Sequence, residues 1–127
     1  MVHPDLTKPF KLYTDASDMG WGAVLIQDDD NSRERVVMYE AGSFNAAEKN
    51  YTVTERECLA VVKACEKLKH FIGGSMSFTV YTNHKALKII LILENPSGRL
   101  TRWQITLERY NFNYEYRPDW KKMQNQK

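Results

Sequence analysis

The sequence predicts an α/β domain built on a mixed five-stranded sheet flanked by helices. Three observations predict it. Several short segments alternate apolar and polar residues with period two, a long segment repeats apolar residues at helical spacing, and the two kinds of segment follow one another along the chain. The order strand, strand, strand, helix, strand, helices, strand needs a crossover before the fourth strand, and this makes the sheet mixed.

The elements can be justified in order. Phe10, Leu12 and Thr14 alternate with Lys11, Tyr13 and Asp15, the mark of a strand with two distinct faces, so Asp15 projects with Tyr13 and away from Phe10. After Asp18-Met-Gly20, the apolar run Trp21 to Gln27 reads as a buried strand. Asp28-Asp-Asp-Asn-Ser32 is a turn of polar punctuators, and Val36-Val-Met-Tyr39 returns as a third strand in an antiparallel meander.

A helix opens near Thr52, where two capping-box registers compete, Thr52 with Glu55 and Thr54 with Glu57. Cys58, Val61, Val62, Cys65, Leu68 and Ile72 form its apolar face, and Gly73-Gly74 closes it. Met76, Phe78 and Val80 mark a fourth strand, with Tyr81 and Asn83 on its other face. Residues 86–93 read as a short packed helix ended by Asn95-Pro-Ser-Gly98. Leu100, Trp103, Leu107 and Tyr110 set the buried face of the next helix. Phe112, Tyr114 and Tyr116 then alternate as a last strand, with aromatic spacing that suits core better than an exposed stacking platform. Residues 1–118 form the expected domain, and the polar stretch 119–127 is an expected irregular tail.

Composition narrows the function. The chain has 127 residues, 43% hydrophobic and 27% charged, enough for one modest core. Eighteen basic residues against 16 acids leave a net charge of +2, so affinity for a polyanion would have to come from a local patch. No apolar run approaches the roughly 18 residues of a membrane helix, and the start lacks the pattern of a leader peptide. An intracellular protein, cytoplasmic or nuclear, is the expectation. Cys58 and Cys65 sit about 10 Å apart along the predicted helix. That is too far to bridge, so they are expected as buried thiols.

Two strand ends share one grammar. Phe10-Lys-Leu-Tyr-Thr14-Asp15 delivers a carboxylate, whereas Phe78-Thr-Val-Tyr-Thr82-Asn83 delivers an amide. Both lead into loops at strand ends, where open α/β sheets place ligand sites. Further motifs accumulate: His3-Pro-Asp-Leu-Thr-Lys-Pro-Phe10, Thr14-Asp-Ala-Ser17, Gly20-x-Gly-Ala-Val-Leu25, Glu48-Lys-Asn-Tyr51, Thr54-Glu-Arg-Glu-Cys-Leu-Ala60, Thr82-Asn-His-Lys-Ala-Leu87, Pro96-Ser-Gly-Arg-Leu-x-Arg-Trp103 and Tyr116-Arg-Pro118. In this order they resemble the ribonuclease H domain of a Ty3/gypsy-type retrotransposon reverse transcriptase, from about His3 to Pro118.

The resemblance implies a ribonuclease H-like fold that cleaves the RNA strand of an RNA–DNA hybrid with two magnesium (or manganese) ions. Hard dications need several anionic oxygens, and in the family four acids supply them. Asp15 matches the first acid, and Glu57, directly before Cys-Leu-Ala-Val-Val, matches the second. Asn83 stands at the third, where an amide can still ligate through its carbonyl oxygen but adds no charge. The fourth lies in a terminal helix with a segment like Ala-Asp-Ala-Leu-Ser-Arg. Residues 119–127 contain no such motif, so that helix is not expected here, and Asp119 follows the last strand too closely to substitute. Asp18 and Glu55 lie near the expected site, with bland readings as a turn residue and a cap. Ala41-Gly42 replaces the family's Ser-Arg.

Substrate grip is a separate matter. Arg99, Arg102 and Arg109 share one predicted helical face, and Lys85 and Lys88 follow the fourth strand. They are candidates for phosphate contacts, or else a solvated surface. His84 matches the family's His beside the metals, with a positioning role or a local hydrogen bond open to it. No His or Cys pair has zinc-ligand spacing. The implied partners are an RNA–DNA hybrid or other nucleic acid, and the polymerase domain of a larger polyprotein. Two functional classes follow: the nuclease domain of a retroelement polyprotein, impaired at its metal site or still active with its last helix outside residues 1–127, or a catalytically dead domain domesticated from a retroelement as a nucleic-acid-binding or protein-interaction module. Deliberate exchange of an acid for Asn83 is a third origin, which the altered tail disfavours.

Overall fold

The structure, a computed structural model, describes residues 3–73, 77–82, 98–110 and 112–117. Five strands, β1 (Lys11–Ala16), β2 (Gly20–Asp28), β3 (Glu34–Ser43), β4 (Phe78–Thr82) and β5 (Phe112–Tyr116), form one sheet in the order β3-β2-β1-β4-β5. β1, β2 and β3 are an antiparallel meander, whereas β4 runs parallel to β1, and β5 parallel to β4. The mixed five-stranded sheet expected from the sequence is therefore the one observed.

Among the described residues, four helical segments accompany it: α1 (Ala46–Lys49), α2 (Val53–Lys67), α3 (Lys69–Ile72) and α4 (Gly98–Glu108). α2 lies over β1 and β2 and against α4. Between helices and sheet sits the main core, with Leu12, Leu25, Ala60, Val61, Cys65 and Val80 shut away from water. The alternation in β1 divides its side chains as predicted: Leu12 enters this core, and Tyr13 enters a second cluster with Ile26 and Tyr81 on the other face. The polar-looking face of β1 is thus itself buried at Tyr13.

Three local features depart from the sequence reading. β3 is longer than residues 36–39, and its pairing slips between Leu25 and Ile26, so that Val37 is the extra residue of a bulge and joins the main core beside Met38. The predicted single helix ends at Leu68 and resumes as α3, and Gly73 caps that short turn with φ −80°, not in the left-handed region. What a side chain would meet there is the Lys69 carbonyl oxygen, 2.5 Å from an added Cβ. The aromatic alternation of β5 holds for Phe112 and Tyr114, which pack on the core, but Tyr116 at the strand end is exposed. The helix expected over residues 86–93 and the tail 119–127 lie outside the described residues.

Candidate active site

Asp15 lies near the end of β1, opposite Gly22 of β2. Beyond it the chain turns tightly. Ser17 N–H donates to the Gly20 carbonyl at 2.8 Å, and the Ser17 hydroxyl accepts from the amides of Met19 and Gly20, both at 3.2 Å. Asp15 consequently sits on the wall of two open concavities. One, of about 450 Å³, is shared with Val24, Tyr39 and Ala41, and the other, of about 350 Å³, with Ser17, Met19 and Gly42. A carboxylate here is accessible to a ligand.

Glu57 arrives from the helix side. The hydroxyl of Thr52 accepts the Glu55 amide at 3.1 Å, and Glu55 Oε1 accepts the Thr52 amide at 2.9 Å, so the first of the two candidate capping boxes is the one formed. Glu57 is thereby left out of the cap. It lies in the second turn of α2 and is only 5% exposed. Thr14 and Thr82, paired across β1 and β4, are buried on the same face of the sheet as Leu12 and Val80. Glu57 Oε2, Thr14 Oγ1 and Tyr114 Oη are all closed to solvent, a set of buried polar atoms on α2, β1 and β5. Burial raises the Tyr114 phenol above its ordinary range.

Neighbouring residues brace the start of α2. The Arg56 guanidinium donates to the carbonyls of Tyr51 (2.7 Å) and Lys49 (3.1 Å) and pairs with Asp18 at 3.2 Å, tying the β1–β2 turn to the linker before α2. Asp18 and Glu55 thus have the turn and cap roles that their positions suggested. Tyr51 and Arg56 carry structure that the sequence alone did not assign to them. Asn45 with Glu48 forms a further capping box over α1, an element that the Asn-x-x-Glu pattern could have announced.

The expected site residues are divided by the structure. Asn83, His84, Lys85 and Lys88 lie outside the described residues; Asn83 follows Thr82 in the chain as Asp15 follows Thr14. Arg99, Arg102 and Arg109 do not form one equivalent row. Arg102 is exposed on α4, Arg109 is exposed in the turn after it, and Arg99 folds onto Tyr51 with its guanidinium carbon 4.0 Å from the ring centre. Cys58 and Cys65 are free and buried, with thiols pushed up to about 12 by burial. Among the described residues no group of three or more His, Cys, Asp or Glu side chains could hold a metal ion. No helix among them is long and apolar enough to cross a membrane.

The family model for the RNase H-like domain found in reverse transcriptase matches residues 5–110. This chain belongs to that family. The Retrovirus-related Pol polyprotein from transposon opus of Drosophila melanogaster is 39% identical over 118 residues, covering 93% of this chain and 12% of that polyprotein. The transposon Tf2-3 polyprotein of Schizosaccharomyces pombe is 36% identical over 119 residues, covering 91% and 9%. This RNase H-like domain therefore spans about a tenth of the curated relatives it matches. Among solved structures, the native protease-reverse transcriptase of prototype foamy virus superposes with TM-score 0.72 at 15% identity, covering 92% of this chain and 16% of that one. LC11-RNase H1 in complex with RNA/DNA hybrid superposes with TM-score 0.60 at 16% identity, covering 88% and 87%. The fold is that of ribonuclease H, and the relatives are Ty3/gypsy-type retrotransposon polyproteins.

Proposed function

We propose that this reverse-transcriptase RNase H-like domain engages RNA–DNA hybrids, within a larger polyprotein that includes a polymerase, and that its own hydrolytic site is impaired. The observation that carries the reading is the capping register of α2. Thr52 and Glu55 satisfy each other, which leaves Glu57 outside the cap and buried on α2, and this supports reading it as the second acid that the resemblance implies. Asp15, on the concave wall at the end of β1, is the first acid.

The donor chemistry of these two residues fits a hard dication, since both are carboxylates and neither competes with a soft ligand. The charge at the site falls short of the family's, because Asn83 brings an uncharged oxygen to the third position. A magnesium or manganese ion bound there would make a nucleophile of its water and offset charge developing on the leaving oxygen. Asp15 and Glu57 would hold and orient it. With fewer anionic oxygens, binding weakens and hydrolysis falls with it.

The test is cleavage of an RNA–DNA hybrid by this chain in magnesium and in manganese. Negligible product is expected, and robust cleavage that Asp15→Asn abolishes would sink the reading. Asn83→Asp, combined with a family-type terminal helix appended after residue 127, is expected to restore activity. A repaired chain that binds hybrid and stays inert would favour the second reading, a domesticated binding or interaction module.

A further inference from the structure

We infer that Arg99 is a positioning residue for Glu57 rather than a contact to substrate phosphate: it couples the start of α4 to the capping box that sets the start of α2. The inference rests on the assignment of Glu57 as a metal-holding carboxylate. Arg99 stands in the first turn of α4, where a cation opposes the helix dipole. A positive charge persists at such a place when a partner compensates it, and two partners are present. The guanidinium lies flat enough on Tyr51 to bring its carbon within 4.0 Å of the ring centre, and its Nη2 is 3.5 Å from Glu55 Oε2.

The two oxygens of Glu55 have divided duties. Oε1 accepts the Thr52 amide and closes the cap, while Oε2 meets Arg99. The side chains of Arg99 and Glu55 are 35% and 17% exposed, so the pair is partly shielded from water and salt. Tyr51 is held as well, by Trp103 of α4 with ring centres 5.9 Å apart, and by Arg56, which grips its carbonyl. Glu55 precedes Glu57 by two residues in the same helix start. A shift or fraying of that start displaces the Glu57 carboxylate. Arg99 therefore fixes the second acid through the cap, without touching it.

The experiment measures Mn²⁺ affinity from paramagnetic broadening of the Glu57 amide resonance, with thermal melts to verify folding. Glu57→Gln is expected to abolish site-specific broadening. Arg99→Ala and Glu55→Gln are each expected to weaken Mn²⁺ binding roughly tenfold, the low end of the loss seen when outer-shell support of a metal ligand is removed. The double variant should be no weaker than either single one, since both break one connection. Should Arg99→Ala fail to fold, Arg99→Lys, which keeps the charge and loses the planar face, is expected to give a smaller loss at an unchanged melt. Mn²⁺ affinity within twofold of the parent in whichever Arg99 variant folds, or full additivity in the double variant, would overturn the positioning role while leaving the Glu57 assignment standing. Broadening that survives Glu57→Gln, or is absent from the parent, would overturn that assignment and the inference with it.

Discussion

Tyr13 and Tyr81 stack with ring centres 4.7 Å apart on the sheet face away from α2, and Arg117 lies over the pair. Its guanidinium carbon is 4.3 Å from the Tyr81 centre, its Nη1 donates to the Tyr13 hydroxyl at 3.0 Å, and its amide donates to the Thr82 carbonyl at 2.7 Å. The Tyr13 hydroxyl in turn donates to Glu34 at 2.5 Å. One chain of contacts thus joins β3, β1, β4 and the exit of β5. Arg117→Ala should cost about 2 kcal/mol, summing one partly shielded cation–π contact and one hydrogen bond. Urea unfolding checks it, and an effect within about 0.3 kcal/mol of zero would contradict it. Burial, with the Glu34 bond, raises the Tyr13 phenol above its ordinary value. A raised folded value means that this stabilisation is complete below about pH 10 and is lost as pH rises beyond it. Tyr13→Phe should flatten that alkaline loss.

The Thr52 hydroxyl caps α2 by accepting the Glu55 amide, so Thr52→Ala should cost about 1 kcal/mol of stability. Thr52→Ser retains the acceptor and should stay within a few tenths of the parent. Equal losses for the two variants in denaturant melts would show that the cap is not what Thr52 contributes.

Much of this was readable in the residues. Alternation placed Leu12 and Tyr13 on opposite faces, and helical spacing found the buried side of α2, because both patterns are local and repeat several times. Which capping box forms at α2 was not readable: both Thr-x-x-Glu pairs satisfy the same grammar, and only packing of the helix on β1 favours burying Glu57 over Glu55. The role of Arg99 was hidden for a related reason. Its charge suggested phosphate, but its partners Tyr51 and Glu55 lie more than 40 residues away and meet it only once α4 docks on α2. The bulge at Val37 answers a pairing mismatch between two strands, which neither strand shows alone. Asn83 was legible as a departure from a family pattern, a property of the sequence itself.

The thiols of Cys58 and Cys65 are buried and raised to about 12, so little thiolate exists at neutral pH. Neither should react with an aromatic disulfide reagent at pH 8 in the folded chain, and both should react at once in denaturant. Rapid labelling of one thiol without denaturant would place it nearer the surface than the core packing allows.

The turn between β2 and β3 depends on an ionised Asp29. Its carboxylate accepts from the Arg33 amide at 3.0 Å, from Arg35 Nε at 2.9 Å and from the Asn31 amide at 2.8 Å, and these bonds lower it from 3.8 to about 2. They also hold Ser32 at φ 60°, a left-handed conformation that the turn requires. A depressed folded value places the stabilisation above pH 4 and removes it as pH falls toward 2. The stability gap between the parent and Asp29→Asn should therefore be constant from pH 7 to pH 5 and close below pH 4. A gap that persists unchanged at pH 2 would refute the ionic origin.

Arg102 and Arg109 are exposed and differ from Arg99 in having no aromatic ring beneath them among the described contacts. If they meet backbone phosphates of a hybrid, each contact releases counterions and steepens the fall of affinity with salt. Arg102→Ala and Arg109→Ala should each lower the slope of log affinity against log salt by about one, and weaken binding alike for different sequences. Fluorescence anisotropy of a labelled hybrid across a salt series measures this. An unchanged slope in both variants would assign them to the solvated surface and move the search for phosphate contacts to Lys85 and Lys88. Arg99→Ala, by contrast, should leave the slope intact, because a guanidinium already shared between Tyr51 and Glu55 contacts no phosphate and so releases no counterion.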